Sequence, residues 1–356
     1  MPLQEPLAYP DKWEKDMTFR RIATEEAFIV PELAELFHHI SRTNWSSLDI
    51  AILRINYRDP TGPRVRRLLD LEEERLAEMD REGVAMQVLS LTSPGVQILE
   101  PGLATDIARL ANDRLAETIA RHPTRFAGLA AFAPQDPAAA AKEMERAVRT
   151  LGLKGFILNS HTDGRYLDDE FFWPVLEAAE ALDAPIYIHP RCPSDGMAAP
   201  FRLKEGGIEN GNFENAAWGF AVETGTHAVR MILSGLFDRF PKLKIVLGHM
   251  GENIPFALWR LDRMGGVPRN RNISLQPSAY FKRNFTITTS GVECHKALAF
   301  SLDMLGEDNV MWAIDYPYQE SGPAVTFMDS APIADAVKHK VYAGNAERLF
   351  KLSPGA

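Results

Sequence analysis

The chain alternates between short apolar runs and longer segments that mix apolar and charged residues. The short runs are rich in β-branched and aromatic residues and predict eight strands, at 21–28, 85–91, 126–132, 154–158, 186–189, 244–249, 285–290 and 309–315. Between several of them, apolar residues recur every three or four positions, which predicts amphipathic helices at 67–82, 104–121, 138–151 and 170–183. Strands that alternate with helices pair in parallel, so the pattern predicts an α/β fold.

Eight such units are typical of a closed (β/α)8 TIM barrel, whose strands are buried on both faces and read as nearly continuous apolar runs. An open doubly wound sheet is the alternative, but no GxGxxG turn follows the first strand. We predict an N-terminal extension at 1–20 and one barrel domain at 21–356. Two insertions, at 38–66 and 192–220, are expected as long loops at the catalytic face of the barrel.

Composition narrows the classes of function. The chain has 356 residues, of which 46% are hydrophobic and 24% charged, with a formal net charge of -9. The acidic balance and the lack of a basic block argue against a nucleic-acid partner. Without an apolar run near ~18 residues or a signal peptide, we expect a soluble, cytoplasmic protein with no membrane partner. The two cysteines suit neither a disulfide framework nor a cysteine-based zinc site, so any metal must use histidine and carboxylate ligands.

Four ionisable residues lie in or at the ends of predicted strands, where a barrel gathers its catalytic groups. They are Glu25, His189, His249 and Asp315. A single such histidine is more often a hydrogen-bonded core residue than a ligand. Four of them on one rim would be costly to bury without a cation, so together they predict an open site for Mn²⁺ or Zn²⁺.

The remaining histidines are expected to have other roles. His161 follows the fourth strand and is a candidate for the pocket wall. Six others are expected to be solvated or to cap helices: His38, His39, His122, His227, His295 and His339.

Several segments resemble the metal-dependent, non-oxidative aromatic acid decarboxylases of the amidohydrolase superfamily. The matching segments are 22–28 IATEEAF, 90–97 SLTSPGVQ, 159–172 NSHTDGRYLDDEFF, 187–190 YIHP, 248–252 GHMGE and 315–319 DYPYQ. The resemblance runs from about residue 20 to residue 352. It is strongest to the enzymes that act on 5-carboxyvanillate, and weaker to those that act on γ-resorcylate and 2,3-dihydroxybenzoate. It implies an amidohydrolase-like barrel and a carboxy-lyase activity.

The resemblance also implies roles for individual residues. Glu25, His189 and Asp315 match metal ligands, and His249 matches a histidine beside the metal. Glu252 matches the carboxylate that orients this histidine. Many superfamily members carry a second metal ligand on strand one. This chain has Ala27 at that position, and the second ligand is also missing in the carboxyvanillate-type enzymes.

Further positions match residues that bind substrate. Arg260 matches an arginine that reaches the substrate from a neighbouring subunit, which implies a homodimer or homotetramer. Tyr318 matches a pocket tyrosine. A second arginine of the family lies in the first insertion, where Arg58 and Arg64 are both candidates.

The implied reaction converts a hydroxylated aromatic acid, 5-carboxyvanillate or a close analogue, to the decarboxylated phenol without an organic cofactor. Direct loss of CO₂ would leave an aryl carbanion with no electron sink, so the ring carbon must first be protonated, and Asp315 is the expected donor. Two other functions stay open at this stage. The same residues could serve a metal-dependent hydrolase of an ester, lactone or amide, or a non-catalytic protein that binds an aromatic acid.

Overall fold

The structure is a computed structural model that describes residues 19–202 and 213–353. The predicted extension at 1–20 therefore lies almost entirely outside the described residues, and so does the middle of the second insertion. The strands are β1 (Ile22–Phe28), β2 (Met86–Leu91), β3 (Phe126–Gly128), β4 (Ala130–Ala131), β5 (Phe156–Asn159), β6 (Ile186–His189), β7 (Ile245–Leu247), β8 (Phe285–Thr288) and β9 (Val310–Met311).

The strands form a closed parallel barrel. Neighbours pair in parallel in the orders β1-β2-β3 and β4-β5-β6-β7-β8-β9. Leu129 alone separates β3 from β4, and its N–H donates to Leu89 O at 2.8 Å, so the two segments serve as one barrel strand. On the other side, Thr24 N donates to Trp312 O at 3.2 Å, which joins β1 to the last strand. The predicted (β/α)8 fold is confirmed.

Helices cover the outside of the barrel. They are α1 (Pro31–Ser41), α2 (Asp49–Tyr57), α3 (Pro63–Leu69), α4 (Glu74–Glu82), α5 (Pro101–Arg121), α6 (Pro137–Arg149), α7 (Trp173–Ala181), α8 (Gly219–Leu233), α9 (Leu236–Arg239), α10 (His249–Glu252), α11 (Ile254–Gly265), α12 (Pro277–Asn284), α13 (His295–Leu305), α14 (Ser321–Asp329), α15 (Asp335–His339) and α16 (Asn345–Phe350). Single turns of 3₁₀ helix occur at Gly95–Ile98, Glu170–Phe172, Asp195–Met197, Ala199–Phe201 and Glu307–Asn309, and a π-helical turn at Lys340–Gly344.

Two local predictions were wrong. The helix expected at 67–82 is two helices, because the Asp70 carboxylate accepts the N–H groups of Glu72, Glu73 and Arg75 and so begins a new helix. The first insertion is not a long loop, since α1 follows β1 almost directly and the end of α1, α2 and the start of α3 together make up more than half of residues 38–66. Within the described ranges, every helix is too short or too polar to cross a membrane.

Candidate metal centre and active-site cavity

Two histidines and a glutamate converge at the carboxyl ends of the barrel strands. Glu25 lies in β1, His189 ends β6, and His249 begins the turn after β7. Their potential ligand atoms all lie within 4.8 Å of one another. Oε1 of Glu25 is 3.5 Å from Nε2 of His189 and 3.5 Å from Nε2 of His249. These three side chains therefore form a preassembled set of one oxygen and two nitrogens.

The tautomer of both histidines follows from their other ring nitrogen. Nδ1 of His189 lies 2.8 Å from Pro190 O, and Nδ1 of His249 lies 2.9 Å from Ser290 O. A backbone carbonyl can only accept a hydrogen bond, so Nδ1 carries the hydrogen in each ring. In the neutral rings, both Nε2 atoms consequently turn a lone pair toward Glu25.

The two oxygens of Glu25 have different surroundings. Oε2 accepts hydrogen bonds from Tyr187, from Thr288 at 2.9 Å and from Ser290. Oε1 is buried and has no hydrogen-bond partner among the described residues. Gly248 packs so closely that a Cβ at this position would lie 2.8 Å from Oε2, so the close approach requires glycine. The hydroxyl donors thus fix the carboxylate and leave Oε1 free to bind a cation.

This donor set fits a divalent metal ion. A buried carboxylate oxygen without a partner, facing two imidazole lone pairs, is unfavourable unless a cation lies between them. Carboxylate oxygen and imidazole nitrogen suit Mn²⁺ and Zn²⁺. Glu25, His189 and His249 are therefore the residues that would hold the ion.

The charges around the site also favour a cation. Burial lowers the pKa of His249, but nearby Glu25, Glu252 and Asp315 outweigh it and raise the pKa to about 9. Burial opposes ionisation of Glu25, yet the two histidines and its hydrogen bonds lower its pKa overall. The pocket thus stabilises positive charge next to an ionised Glu25.

Asp315 lines the same cavity but stands outside the group of three ligands. It lies in the turn after β9, not at the end of a strand as the sequence indicated, because β9 stops at Met311. Burial raises the pKa of its carboxyl group well above the usual range, and the charge of Glu25 adds to this effect. The structure groups His249 with Glu25 and His189, so Asp315 as a ligand stays a prediction.

Glu252 also faces the cavity, but its expected contact is not found. Both of its carboxylate oxygens are buried without a hydrogen-bond partner among the described residues, whereas the carbonyl of Ser290 fixes the His249 ring. That Glu252 orients His249 therefore stays a prediction. Burial raises the pKa of Glu252 to about 8, against the opposing charge of His249.

The cavity above these residues has a volume of about 390 Å³, which is large enough for a substituted benzoic acid. Its apolar lining includes Ile52 and Ile55 from α2, together with Phe220 and Val292. Its further polar lining consists of Asn56, Arg64, Ser93, Asn215, Asn253, Tyr318 and Gln319.

The structure distinguishes the two candidate arginines of the first insertion. Arg64 lines the cavity, and its guanidinium lies 5.0 Å from the centre of the Tyr318 ring. Arg58 is exposed just after α2 and is absent from the described cavity lining. Tyr318 is held in turn by Thr92, at 2.6 Å between the two hydroxyl oxygens. The cavity therefore favours Arg64 over Arg58.

Arg260 lies on the outer surface of α11, away from the cavity of its own chain. Its neighbours Phe256 and Trp259 are 85% and 73% exposed. This position is compatible with a role at the site of a neighbouring subunit, which stays a prediction.

His161 and His227 are both buried in a polar cluster beside the cavity. His161 accepts the N–H of Gly164 and bonds Cys192 O, so the expectation that it lines the pocket was wrong. His227 is fully buried and accepts the N–H of Leu167 at 3.0 Å, so it is not solvated as expected. The sequence contained a sign of this burial, because His227 lies four residues before Met231, on the apolar face of α8.

Sequence reasoning also missed the three hydroxyl groups that hold Glu25. Tyr187 precedes His189 by two residues, and Thr288 precedes Ser290 by two. Residues two apart in a strand point to the same face. Polar residues at this spacing in apolar strands were the signal that could have revealed them.

Comparisons with known proteins agree on one family. A family model described as Amidohydrolase matches residues 38–352. Gamma-resorcylate decarboxylase from a Polaromonas species is 39% identical over 83% of this chain and 92% of that protein. The enzyme of the same name from Rhodococcus jostii is 39% identical over 93% and 98%.

Solved structures are also similar. The 5-carboxyvanillate decarboxylase of Sphingomonas paucimobilis superposes with a TM-score of 0.89 and 53% identity, over 94% of this chain and 100% of that one. The 5-carboxyvanillate decarboxylase of Novosphingobium aromaticivorans, with bound manganese and 3-methoxy-4-hydroxy-5-nitrobenzoic acid, gives a TM-score of 0.88 at 40% identity, over 95% and 98%.

Proposed function

The chain belongs to the amidohydrolase family, and we propose on this basis that it is a metal-dependent aromatic acid decarboxylase, a carboxy-lyase, acting on 5-carboxyvanillate or a close analogue. The resemblance read from the sequence motifs is confirmed at the level of the family. The observation that carries the proposal is the convergence of Glu25, His189 and His249 beside the buried carboxyl group of Asp315 in a cavity of benzoic-acid size.

The cofactor is a divalent metal ion, and Mn²⁺ is the proposed one because a similar decarboxylase binds manganese. Zn²⁺ suits the same donor atoms. Such an ion, when bound, supplies Lewis-acid attraction for the carboxylate and the adjacent phenolic oxygen of the substrate. Side chains of the protein must transfer the proton and bind the rest of the substrate.

Asp315 is the proposed proton donor. Burial and the charge of Glu25 raise the pKa of its carboxyl group, which favours the protonated form that a donor needs. It gives this proton to the ring carbon that bears the carboxylate. The carbon–carbon bond then breaks, its electron pair returns to the ring, and CO₂ leaves as aromaticity is restored.

His249 and Glu252 are proposed to assist at the cavity lining. His249 faces both Glu25 and the cavity, so an ion that it helps to hold would supply positive charge beside the departing carboxylate. Glu252 is proposed to orient His249 from the same cavity lining. The hydrogen bond to Ser290 O fixes the His249 ring before substrate binds, which reduces the reorganisation needed during the reaction.

Arg64 is proposed to bind the second carboxylate of the substrate. Arg64 is the only arginine or lysine among the described lining residues, and it stacks on Tyr318. The chain as a whole is acidic, so placed cations must attract the substrate. We propose that Arg260 of a neighbouring copy adds a second positive charge to the cavity.

A homodimer or homotetramer is part of this proposal. The exposed rings of Phe256 and Phe300 lie 6.1 Å apart, and Trp259 extends the same apolar surface beside Arg260. An exposed apolar patch of this kind suits an interface between subunits. Two further expectations stay predictions. One is that residues 21–356 form a single domain, and the other is that the protein is cytoplasmic.

A panel of aromatic acids tests the function. The purified chain would be incubated with Mn²⁺ and with 5-carboxyvanillate, γ-resorcylate or 2,3-dihydroxybenzoate, and both ultraviolet absorbance and released CO₂ would be followed. Carboxyvanillate turnover well above the others supports the proposal. Product containing oxygen from labelled water would indicate a hydrolase instead.

A further inference from the structure

Glu26 holds the backbone on both sides of Asp315. Oε1 of Glu26 accepts the N–H of Ile314 at 3.0 Å, and Oε2 accepts the N–H of Tyr316 at 3.1 Å. Between them, the N–H of Asp315 donates to the backbone oxygen of Glu25 at 3.0 Å. Three consecutive amides are thereby fixed by two adjacent residues of β1.

The turn needs this support. Asp315 has φ = 76°, in the left-handed region that a residue with a Cβ adopts only at a cost. Ile314 and Tyr316 are fully buried, so their amides would otherwise lack water as a partner. Glu26 satisfies both amides in the conformation that brings Asp315 to the cavity.

A second set of contacts holds Tyr316 from the side of the helices. The guanidinium groups of Arg67 and Arg75 each lie 4.4 Å from the centre of its ring, and Nε of Arg67 donates to its hydroxyl at 3.2 Å. Arg67 belongs to α3, which also carries Arg64. The turn is thus tied to the helix that presents the cavity arginine.

Glu26 is itself fully buried, and Arg75 is the nearby charge that compensates it. Arg75 is also fully buried and donates to Ala27 O at 2.6 Å and Asp70 O at 3.0 Å. A buried ionisable group such as Glu26 is not needed for stability alone, since apolar replacements often serve as well. Its location beside the Asp315 turn gives it a specific use.

We propose that Glu26 is a positioning residue for Asp315, which clamps the amides of residues 314 and 316 and so keeps the Asp315 carboxyl group directed at the reacting carbon. The inference rests on the proposed function for the role of Asp315. It assigns Glu26 an effect on the rate of proton transfer without contact with the substrate.

The test compares Glu26→Gln with Glu143→Gln. An amide side chain has one acceptor oxygen, so Glu26→Gln frees one of the two amides. Glu143 is the matched control, since it is also a buried carboxylate, accepting from Asn112 at 2.8 Å and pairing with Arg146 on α6. Both variants would be studied as the full chain with Mn²⁺ by steady-state kinetics, thermal melting and hydrogen exchange.

We expect Glu26→Gln to lower kcat about tenfold or more, with KM within about threefold, as misplacement of a reacting group does. The peptide covering 313–318 should exchange faster in this variant and not in Glu143→Gln. Glu143→Gln should lower the melting temperature while kcat stays near wild type. If Glu26→Gln keeps wild-type kcat, or if both variants lose kcat alike, the proposal is wrong.

A double-mutant cycle shows whether Glu26 acts through Asp315. In the background of Asp315→Asn, the change Glu26→Gln should cost little further activity, because the positioned group is already absent. Additive losses would contradict the proposal. If Glu26→Gln does not fold, Glu26→Asp takes its place in the same measurements, since it keeps the charge but shortens the reach to the two amides.

The exchange measurement separates this inference from the proposed function. If the wild-type chain decarboxylates none of the acids, the proposed function fails. Faster exchange at 313–318 in Glu26→Gln would then still support the clamp, whereas unchanged exchange would overturn it.

Discussion

Oε1 of Glu25 lies 3.5 Å from Nε2 of His249, and the oxygen is buried without a hydrogen-bond partner among the described residues. In the neutral ring the hydrogen lies on the opposite nitrogen, held by Ser290 O, so Nε2 turns its lone pair toward that oxygen. Nε2 of His189 also lies 3.5 Å from Oε1 of Glu25. Two imidazole lone pairs and a carboxylate oxygen directed at one point are unfavourable without a cation between them. The proposed metal site rests on this arrangement.

The hydroxyl group of Tyr187 should control metal affinity. Tyr187→Phe removes a donor from Oε2 of Glu25 and loosens the carboxylate, so we expect Mn²⁺ to bind about 10- to 100-fold more weakly. Titration calorimetry on the metal-free protein measures this. Tyr342→Phe is the matched control, because its buried hydroxyl bonds Asp329 far from the site. Equal affinity in both variants would contradict the role of the hydroxyl donors.

Arg64 should matter for substrate binding, and Arg58 should not. Removing a charged hydrogen-bond donor costs about 1.5–3 kcal/mol, so Arg64→Met should lower kcat/KM about 10- to 100-fold. Arg58→Met should stay within about twofold of wild type, because Arg58 is exposed outside the cavity. Steady-state kinetics on 5-carboxyvanillate give the comparison. A larger effect at Arg58 would reverse the assignment.

Arg260 should act only across a subunit boundary. Arg260→Ala and Asp315→Asn homo-oligomers should each be nearly inactive, since each lacks one part of every site. Mixed after dissociation and reassembly, they should regain up to about a quarter of wild-type activity, because mixed oligomers contain some complete sites. Activity assays after mixing test this. An active monomer in gel filtration, or no recovery of activity on mixing, would contradict the proposal that two subunits share each active site.

Buried histidine should make the protein sensitive to acid. Burial lowers the pKa of His227 to about 3, whereas an unfolded histidine has about 6.5. Below pH ~6.5 the unfolded chain therefore binds the extra proton, and stability falls by up to about 1.4 kcal/mol per pH unit until the pH nears the folded pKa. In urea unfolding of the metal-free protein between pH 7.5 and 5, His227→Gln should show a shallower loss. An identical slope would contradict the assignment.

The barrel could be predicted from sequence because parallel strands buried on both faces leave a simple apolar signature. The positions of Glu25 and His189 could be predicted from the same pattern, since both residues lie within strands. His249 and Asp315 lie in turns with positive φ, where the backbone leaves the strand pattern. In the structure His249 lies with Glu25 and His189, whereas Asp315 as a metal ligand stays a prediction.

The surroundings of Glu25 could not be derived in the same way. Its donors come from β6 and from β8 and the residues just after it, and they meet only because the barrel closes. The choice between Arg64 and Arg58 depended on where α3 begins, which the pattern of the first insertion did not give.

Turnover in D₂O tests the central claim most directly. The wild-type chain with Mn²⁺ would be given 5-carboxyvanillate, and the product would be examined by proton NMR and mass spectrometry. Protonation of the ring carbon by Asp315, which exchanges with solvent, predicts vanillate with one deuterium at the carbon that lost CO₂, and loss of turnover in Asp315→Asn with metal still bound. No vanillate, vanillate without deuterium at that carbon, or an Asp315→Asn variant with wild-type kcat would contradict the account.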